Sequence, residues 1–299
     1  MDAFPTSLRP LAGGHSGETF LAEVAGEEAV VRVYGARSAG RGPLAPEIDA
    51  AVLELVRGLL PVPEVLEVRR GDPGADLPGL LVTARLPGEM LELVLPGLDD
   101  ERRTAVGTSI GTLVGRLGHM AQPRAGTFTD RTLVPRELPE HMRELPAWVE
   151  SRAQELEESI IEQLRRVASE AQDLLDEDRR VCLVHADLNA KNLLVDPRTL
   201  EVTGVLDWEF AHAGSPYADL GNLLRFDRDP AFADSVIAAY RDFMPATPED
   251  LLGRVRAADL FALVELAARN EEGEVVLRSR ELLEAIARTG DLHATPAKS

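Results

Sequence analysis

The stretch 182–222, CLVHADLNAKNLLVDPRTLEVTGVLDWEFAHAGSPYADLGN, constrains this chain more than any other part of it. Two short apolar runs, 181–184 and 193–195, flank the polar insert HADLNAKN, and a third, 202–206, follows a turn marked by Asp196, Pro197 and Arg198. The pattern is a loop pinned between strands. It holds Asp187 and Asn192, five positions apart, toward one spot, and the third run delivers Asp207 to the same neighbourhood. Two carboxylates and an amide converge there with no positive ligand nearby, and close like charges repel unless a proton or a cation balances them. Oxygen donors of this kind, with the remaining positions left to water and phosphate, suit magnesium. The implied chemistry is phosphoryl transfer. In that template one Asp takes or orients an acceptor hydroxyl, an Asn five residues on holds one metal, and an Asp at the end of a following strand holds the metals bridging the phosphates.

A lone His-x-Asp is common in ordinary turns, so the ordered series carries the weight. His185-Ala186-Asp187-Leu188 with Asn192, then Leu206-Asp207-Trp208-Glu209, then Gly214-Ser215-Pro216 and Ala218-Asp219-Leu220, resembles the aminoglycoside phosphotransferase family of small-molecule kinases. The resemblance implies an α+β, bilobal, protein-kinase-like fold, with a small β-rich N-terminal lobe, 1–86, and a larger, mostly helical catalytic lobe, 87–299. It also implies ATP or GTP as co-substrate, Mg2+ held by Asn192 and Asp207, Asp187 as the catalytic residue, and Asp219 as the acid that ties the catalytic loop by hydrogen bonds. Lys191 and Asn189 lie within the loop and receive no chemical step.

Upstream, 19–24 and 29–34 read as two strands joined by turn residues 25–28. Gly13, Gly14 and Gly17 precede them, and a flexible loop whose N–H groups face phosphates is their functional reading. By itself the pattern is a plain glycine turn, since it is not a strict GxGxxG; the hairpin that follows, with Arg32 on its second strand, favours the phosphate loop. The wider kinase pattern has a Lys at Arg32, gripping the α- and β-phosphates. A helix over 47–57 is expected to supply the acid that pairs with Arg32, with Asp49 the best-placed and Glu47 the alternative. Strands at 65–68 and 80–84 follow, and TARLPGEML is similar to the family's hinge, where the backbone of Ala84 and Leu86 would meet the base.

The segment 100–120 reads as a helix in which Gly107, Gly111, Gly115 and Gly118 recur. Interior glycines cost about 1 kcal/mol each relative to Ala, so close packing against another element is expected to compensate. His119 ends this helix as a structural side chain. A long charged helix is expected over 146–178, and further helices over 219–225, 230–240, 248–270 and 271–288.

With 51 acidic against 32 basic residues the formal charge is −19, which opposes nucleic acid and anionic membranes as partners. An acidic surface would attract a cationic acceptor, although solubility alone accounts for such a balance. Glu209 and the acids of 271–274 are the candidate lining of that acceptor site. The single Cys182 excludes an internal disulfide and reads as buried filler. No signal pattern or membrane-length apolar run occurs, which fits a cytoplasmic enzyme. Only seven residues separate Asp207 from Ser215, too few for a protein kinase's phosphorylatable loop and peptide platform. A non-catalytic kinase-like module would have lost a position among Asp187, Asn192 and Asp207, and all are present. The acceptor stays open among aminoglycosides, other antibiotics, amino alcohols and sugars.

Overall fold

The computed structural model describes residues 8–11, 18–24, 26–72, 74–139, 142–271 and 273–296. Alternating apolar residues and the left-handed Gly26 (φ +86°) build the hairpin of β2 (Glu18–Val24) and β3 (Glu27–Tyr34), in register Thr19 to Arg32. β1 (Leu8–Pro10), β4 (Val65–Arg69) and β5 (Gly79–Ala84) complete an antiparallel sheet in the order β1-β2-β3-β5-β4. Side-chain alternation divides its faces. Ala22, Ala29, Val31 and Val82 form a small apolar cluster with Val33 packed against it, while Tyr34 and Leu81 belong to the main core. Arg32 therefore shares the face of Tyr34, toward α1 (Ala45–Val56).

The change of layer falls at residues 85–88. Gly88 has φ +121°, and a Cβ there would stand 2.3 Å from Thr203 Oγ1 and 3.1 Å from the Val195 carbonyl, so only glycine fits. Thr203 Oγ1 in turn donates to the Pro87 carbonyl (2.8 Å). The chain then enters a second sheet, in which β6 (Glu89–Met90) pairs with β9 (Leu193–Val195) and β9 with β10 (Val202–Val205). A third joins β7 (Gly126–Thr127), β11 (His212–Gly214) and β8 (Cys182–Val184). α2 (Leu91–Val94) ties its Glu92 N–H to the Ala190 carbonyl (3.0 Å).

Most of the remaining described elements are helices. α3 (Asp100–Gly118) lies on α7 (Pro230–Phe243) along the glycine stripe; a Cβ at Gly111 would stand 2.3 Å from the Val236 carbonyl, and one at Gly107 2.7 Å from that of Phe232. Close packing is thus what the interior glycines permit. His119 caps α3 and its ring Nε2 lies 3.2 Å from the Phe243 carbonyl, a structural role.

One expectation is corrected. The helix expected over 146–178 is two helices, α4 (Leu145–Ser151) and α5 (Glu158–Asp176), folded back on each other. Glu150 pairs with Arg165 at 2.7 Å and Gln172 accepts from the Leu145 N–H at 2.9 Å. Residues so separated would stand about 22 Å or more apart in one straight helix. Both helices bury their apolar sides in a cluster with α8 (Leu251–Ala267) and α9 (Glu274–Thr289), including Trp148, Leu164, Val264 and Leu283. α6 (Ala218–Leu224) lies between that cluster and the catalytic loop. Cys182 is a buried filler, its thiol pushed up to about 12 by burial. Among the described residues no helix is long and apolar enough to cross a membrane.

Candidate active site

The loop between β8 and β9 is held from both sides. The fully buried Asp219, at the start of α6, accepts the His185 N–H (2.9 Å) and the Ala186 N–H (2.8 Å), and Asn222 Nδ2 donates to the Ala186 carbonyl (2.9 Å). Ala186 is left-handed (φ +66°), as is Asp207 (φ +61°). Non-glycine residues reach that region only when their surroundings fix them, and here each flanks or carries a candidate carboxylate. The His185 ring joins the two: Nε2 donates to the Leu206 carbonyl (2.8 Å), Nδ1 accepts the Asp187 N–H (3.2 Å), and Trp208 packs against the ring at 4.7 Å. Both bonds form together only with the proton on Nε2.

Asp187 is oriented by two amides. Asn192 Nδ2 donates to its Oδ2 (3.0 Å) and carbonyl (2.8 Å), and Asn189 Nδ2 to its Oδ1 (3.0 Å). Asn189 thus has a positioning task that its sequence context did not reveal. Burial raises the Asp187 carboxyl above the ordinary aspartate value, opposed by His185 and assisted by the Asp207 charge. Lys191 is exposed. The Leu206 N–H bonds the Asn192 carbonyl (2.8 Å), which brings Asp207, at the end of β10, beside the loop.

A cation that the sequence did not place here reaches Asp207. Arg32 donates to Asp207 Oδ1 (2.6 Å) and to Glu209 Oε2 (2.7 Å), with its guanidinium 5.4 Å from the Tyr34 ring centre. The expected pairing with α1 is corrected: Asp49 is held by Arg41 (2.5 and 2.9 Å) and by the Tyr34 hydroxyl (2.6 Å), and Glu47 by the exposed Arg70 (2.9 Å). Arg41, in a tight turn after β3, reaches Asp49 from the helix side, while β3 points Arg32 at the carboxylates after β10. Glu209, expected to border the acceptor, is buried and sits between Arg32 and Arg41, the latter 3.8 Å away. Burial works against charge on Arg32, but Asp207 and Glu209 outweigh it and hold the guanidinium proton more firmly than usual.

Gly13, Gly14 and Gly17 lie outside the described residues. At the hinge the Ala84 N–H is committed to the Glu64 carbonyl (2.8 Å), so a contact from Ala84 to a base would come from its carbonyl, and the Leu86 side chain lies over Gly204. The Asn192 side chain gives its nitrogen to Asp187, and its amide oxygen is an acceptor of the kind a hard cation takes. Among the described residues no group of three or more His, Cys, Asp or Glu could cage a metal. Two hard oxygen donors without a cage fit magnesium, which keeps waters and phosphates in its shell.

A small antiparallel sheet, a helical part behind it and a strand-pinned His-x-Asp loop at the junction make up a kinase-like fold. The chain belongs to the phosphotransferase enzyme family, whose model matches residues 7–256. It is 31% identical over 276 residues to streptomycin 3''-kinase of Streptomyces griseus, covering 83% of this chain and 93% of that one. It is 27% identical over 223 residues, 72% of this chain, to acyl-CoA dehydrogenase family member 10 of Mus musculus, and spans only 20% of that much longer protein. In fold it is similar to a thermostable mutant of aminoglycoside phosphotransferase APH(4)-Ia, solved in ternary complex with ADP and hygromycin B (TM-score 0.68, 17% identity, 96% and 95% of the chains covered). The bilobal kinase-like fold is thereby established.

Proposed function

We propose that this chain transfers the γ-phosphoryl group of ATP or GTP to a hydroxyl of a small molecule. The observation that carries the reading is the convergence of Asp187, Asn192 and Asp207 on a loop fixed by Asp219 and His185. Nucleotide lies between lobes 1–86 and 87–299, its base at the Ala84 carbonyl and Leu86 N–H and its phosphates at Arg32. Asp187 accepts or orients the acceptor hydroxyl proton, and its raised carboxyl value makes it a better base than a solvated aspartate. Asn192 and Asp207 hold magnesium, which when bound supplies charge neutralisation at the phosphates. The streptomycin kinase relative and the hygromycin B complex of the structural neighbour support an aminoglycoside-like, cationic acceptor. An amino alcohol or sugar is the second reading, since the family resemblance serves both.

Calorimetric titration of nucleotide with and without magnesium tests the metal half of this reading. Asp207→Asn and Asn192→Ala are expected to weaken the magnesium-dependent affinity by about tenfold or more, each through loss of one oxygen ligand or its charge. Equal affinity of the wild type and both variants with magnesium present, as well as without it, would contradict the assignment.

A further inference from the structure

Five charged side chains alternate in sign from the end of β10 to α1. Asp207 binds Arg32 (2.6 Å), Arg32 binds Glu209 (2.7 Å), Arg41 lies 3.8 Å from the same Glu209 oxygen, and Arg41 closes on Asp49 with both terminal nitrogens (2.5 and 2.9 Å). The Glu209 side chain is 3% exposed and that of Arg32 17%, so both are largely shielded from water. A carboxylate placed between two guanidiniums in such surroundings fixes their positions. In the kinase pattern the acid that holds the phosphate-gripping cation comes from the helix, but here the helix acid Asp49 is taken up by Arg41 and Tyr34. Asp207 is also the residue assigned to magnesium, and a carboxylate ligating a metal gives up charge to it. Glu209 is the carboxylate that stays with Arg32.

We infer that Glu209 is a positioning residue: it holds Arg32 against the nucleotide phosphates when Asp207 turns to the metal, with Arg41 bracing it from the N-terminal lobe. This inference rests on the phosphotransferase reading. It accounts for a Glu two residues after Asp207, where the sequence alone pointed to the acceptor pocket.

The test is a pair of double-mutant cycles on magnesium–ATP affinity, read by equilibrium titration of the full chain, with thermal unfolding recorded for each variant. Glu209→Gln is expected to weaken ATP binding by about tenfold in the wild-type background and by less than about twofold in Arg32→Met, because its effect passes through Arg32. Asp49→Asn, which reaches Arg32 only through Arg41 and Glu209, is expected to couple to Arg32 more weakly than Glu209→Gln does. Glu209→Asp, with a shorter carboxylate, should recover part of the loss, and the same cycle is run on it if Glu209→Gln does not fold. A loss of equal size with and without Arg32, or a coupling of Arg32 to Asp49 in place of Glu209, would overturn the inference. Absence of magnesium-dependent ATP binding by the wild type would instead sink the phosphotransferase reading.

Discussion

The Asp219 carboxylate has no exposed surface beyond 2% and gives both oxygens to backbone N–H groups of the catalytic loop. Burial, opposed by His185 and those two bonds, raises its carboxyl above the ordinary aspartate value. The folded chain therefore binds this proton more tightly than the unfolded chain does. Its contribution to stability is fully present below the unfolded value, about pH 4, and is lost as pH rises through the raised folded value. Asp219→Asn removes that titration. In urea unfolding, the advantage of wild type over the variant is expected to shrink as pH rises above the unfolded value; an advantage that grows with pH would contradict the direction. This tie was legible in the sequence because Asp219 stands in an ordered motif. The Arg32 to Glu209 contact was not, since it spans 177 positions and no local pattern marks a long-range ion pair. Arg41 likewise sits in a short turn with no periodic signal.

At the scale of elements, what the sequence shows best is periodicity and punctuation. The hairpin of β2 and β3, the helix α1 closed before the left-handed Gly58 (φ +88°) and the strands around the catalytic loop lie where alternation and turn residues place them. The break between α4 and α5 is invisible to such reading, because helical spacing continues across it and the fold-back is fixed by tertiary burial of residues such as Trp148, Val149, Leu164 and Val167. The glycines of α3 give the opposite case, a local cost that reveals a tertiary contact. Gly111→Ala should gain about 1 kcal/mol of helix propensity. It would also set a Cβ 2.3 Å from the Val236 carbonyl and 2.9 Å from Ala239 Cβ. Overpacking against backbone costs about 1–3 kcal/mol, so thermal unfolding is expected several degrees lower. An unchanged or raised midpoint would show that α3 and α7 separate without loss.

For the whole molecule, one apolar core runs from Tyr34 and Leu81 in the first sheet through α1 and α3 to Leu188, Trp208 and Leu220 around the loop. That continuity joins the sheet that carries Arg32 to the residues around the loop 185–192, although they come from distant parts of the sequence. The bilobal architecture was legible through the family that the ordered series resembles, while the acceptor was not, because the net charge of −19 says nothing about where carboxylates gather. Among the acids first placed at the acceptor, Glu209 turns inward to Arg32 and Glu274 opens α9.

Phosphoryl transfer itself is the most direct test. Purified chain, magnesium and ATP or GTP are incubated with a panel of aminoglycosides, other hydroxylated antibiotics, amino alcohols and sugars, and phosphorylated product is identified by mass and by phosphorus NMR. Transfer to a hydroxyl of at least one member is expected. Asp187→Ala is expected to lower that rate by about two to four decades while nucleotide affinity and the unfolding midpoint stay near wild type. An Asp187→Ala variant that turns over an identified acceptor at close to the wild-type rate would contradict that expectation.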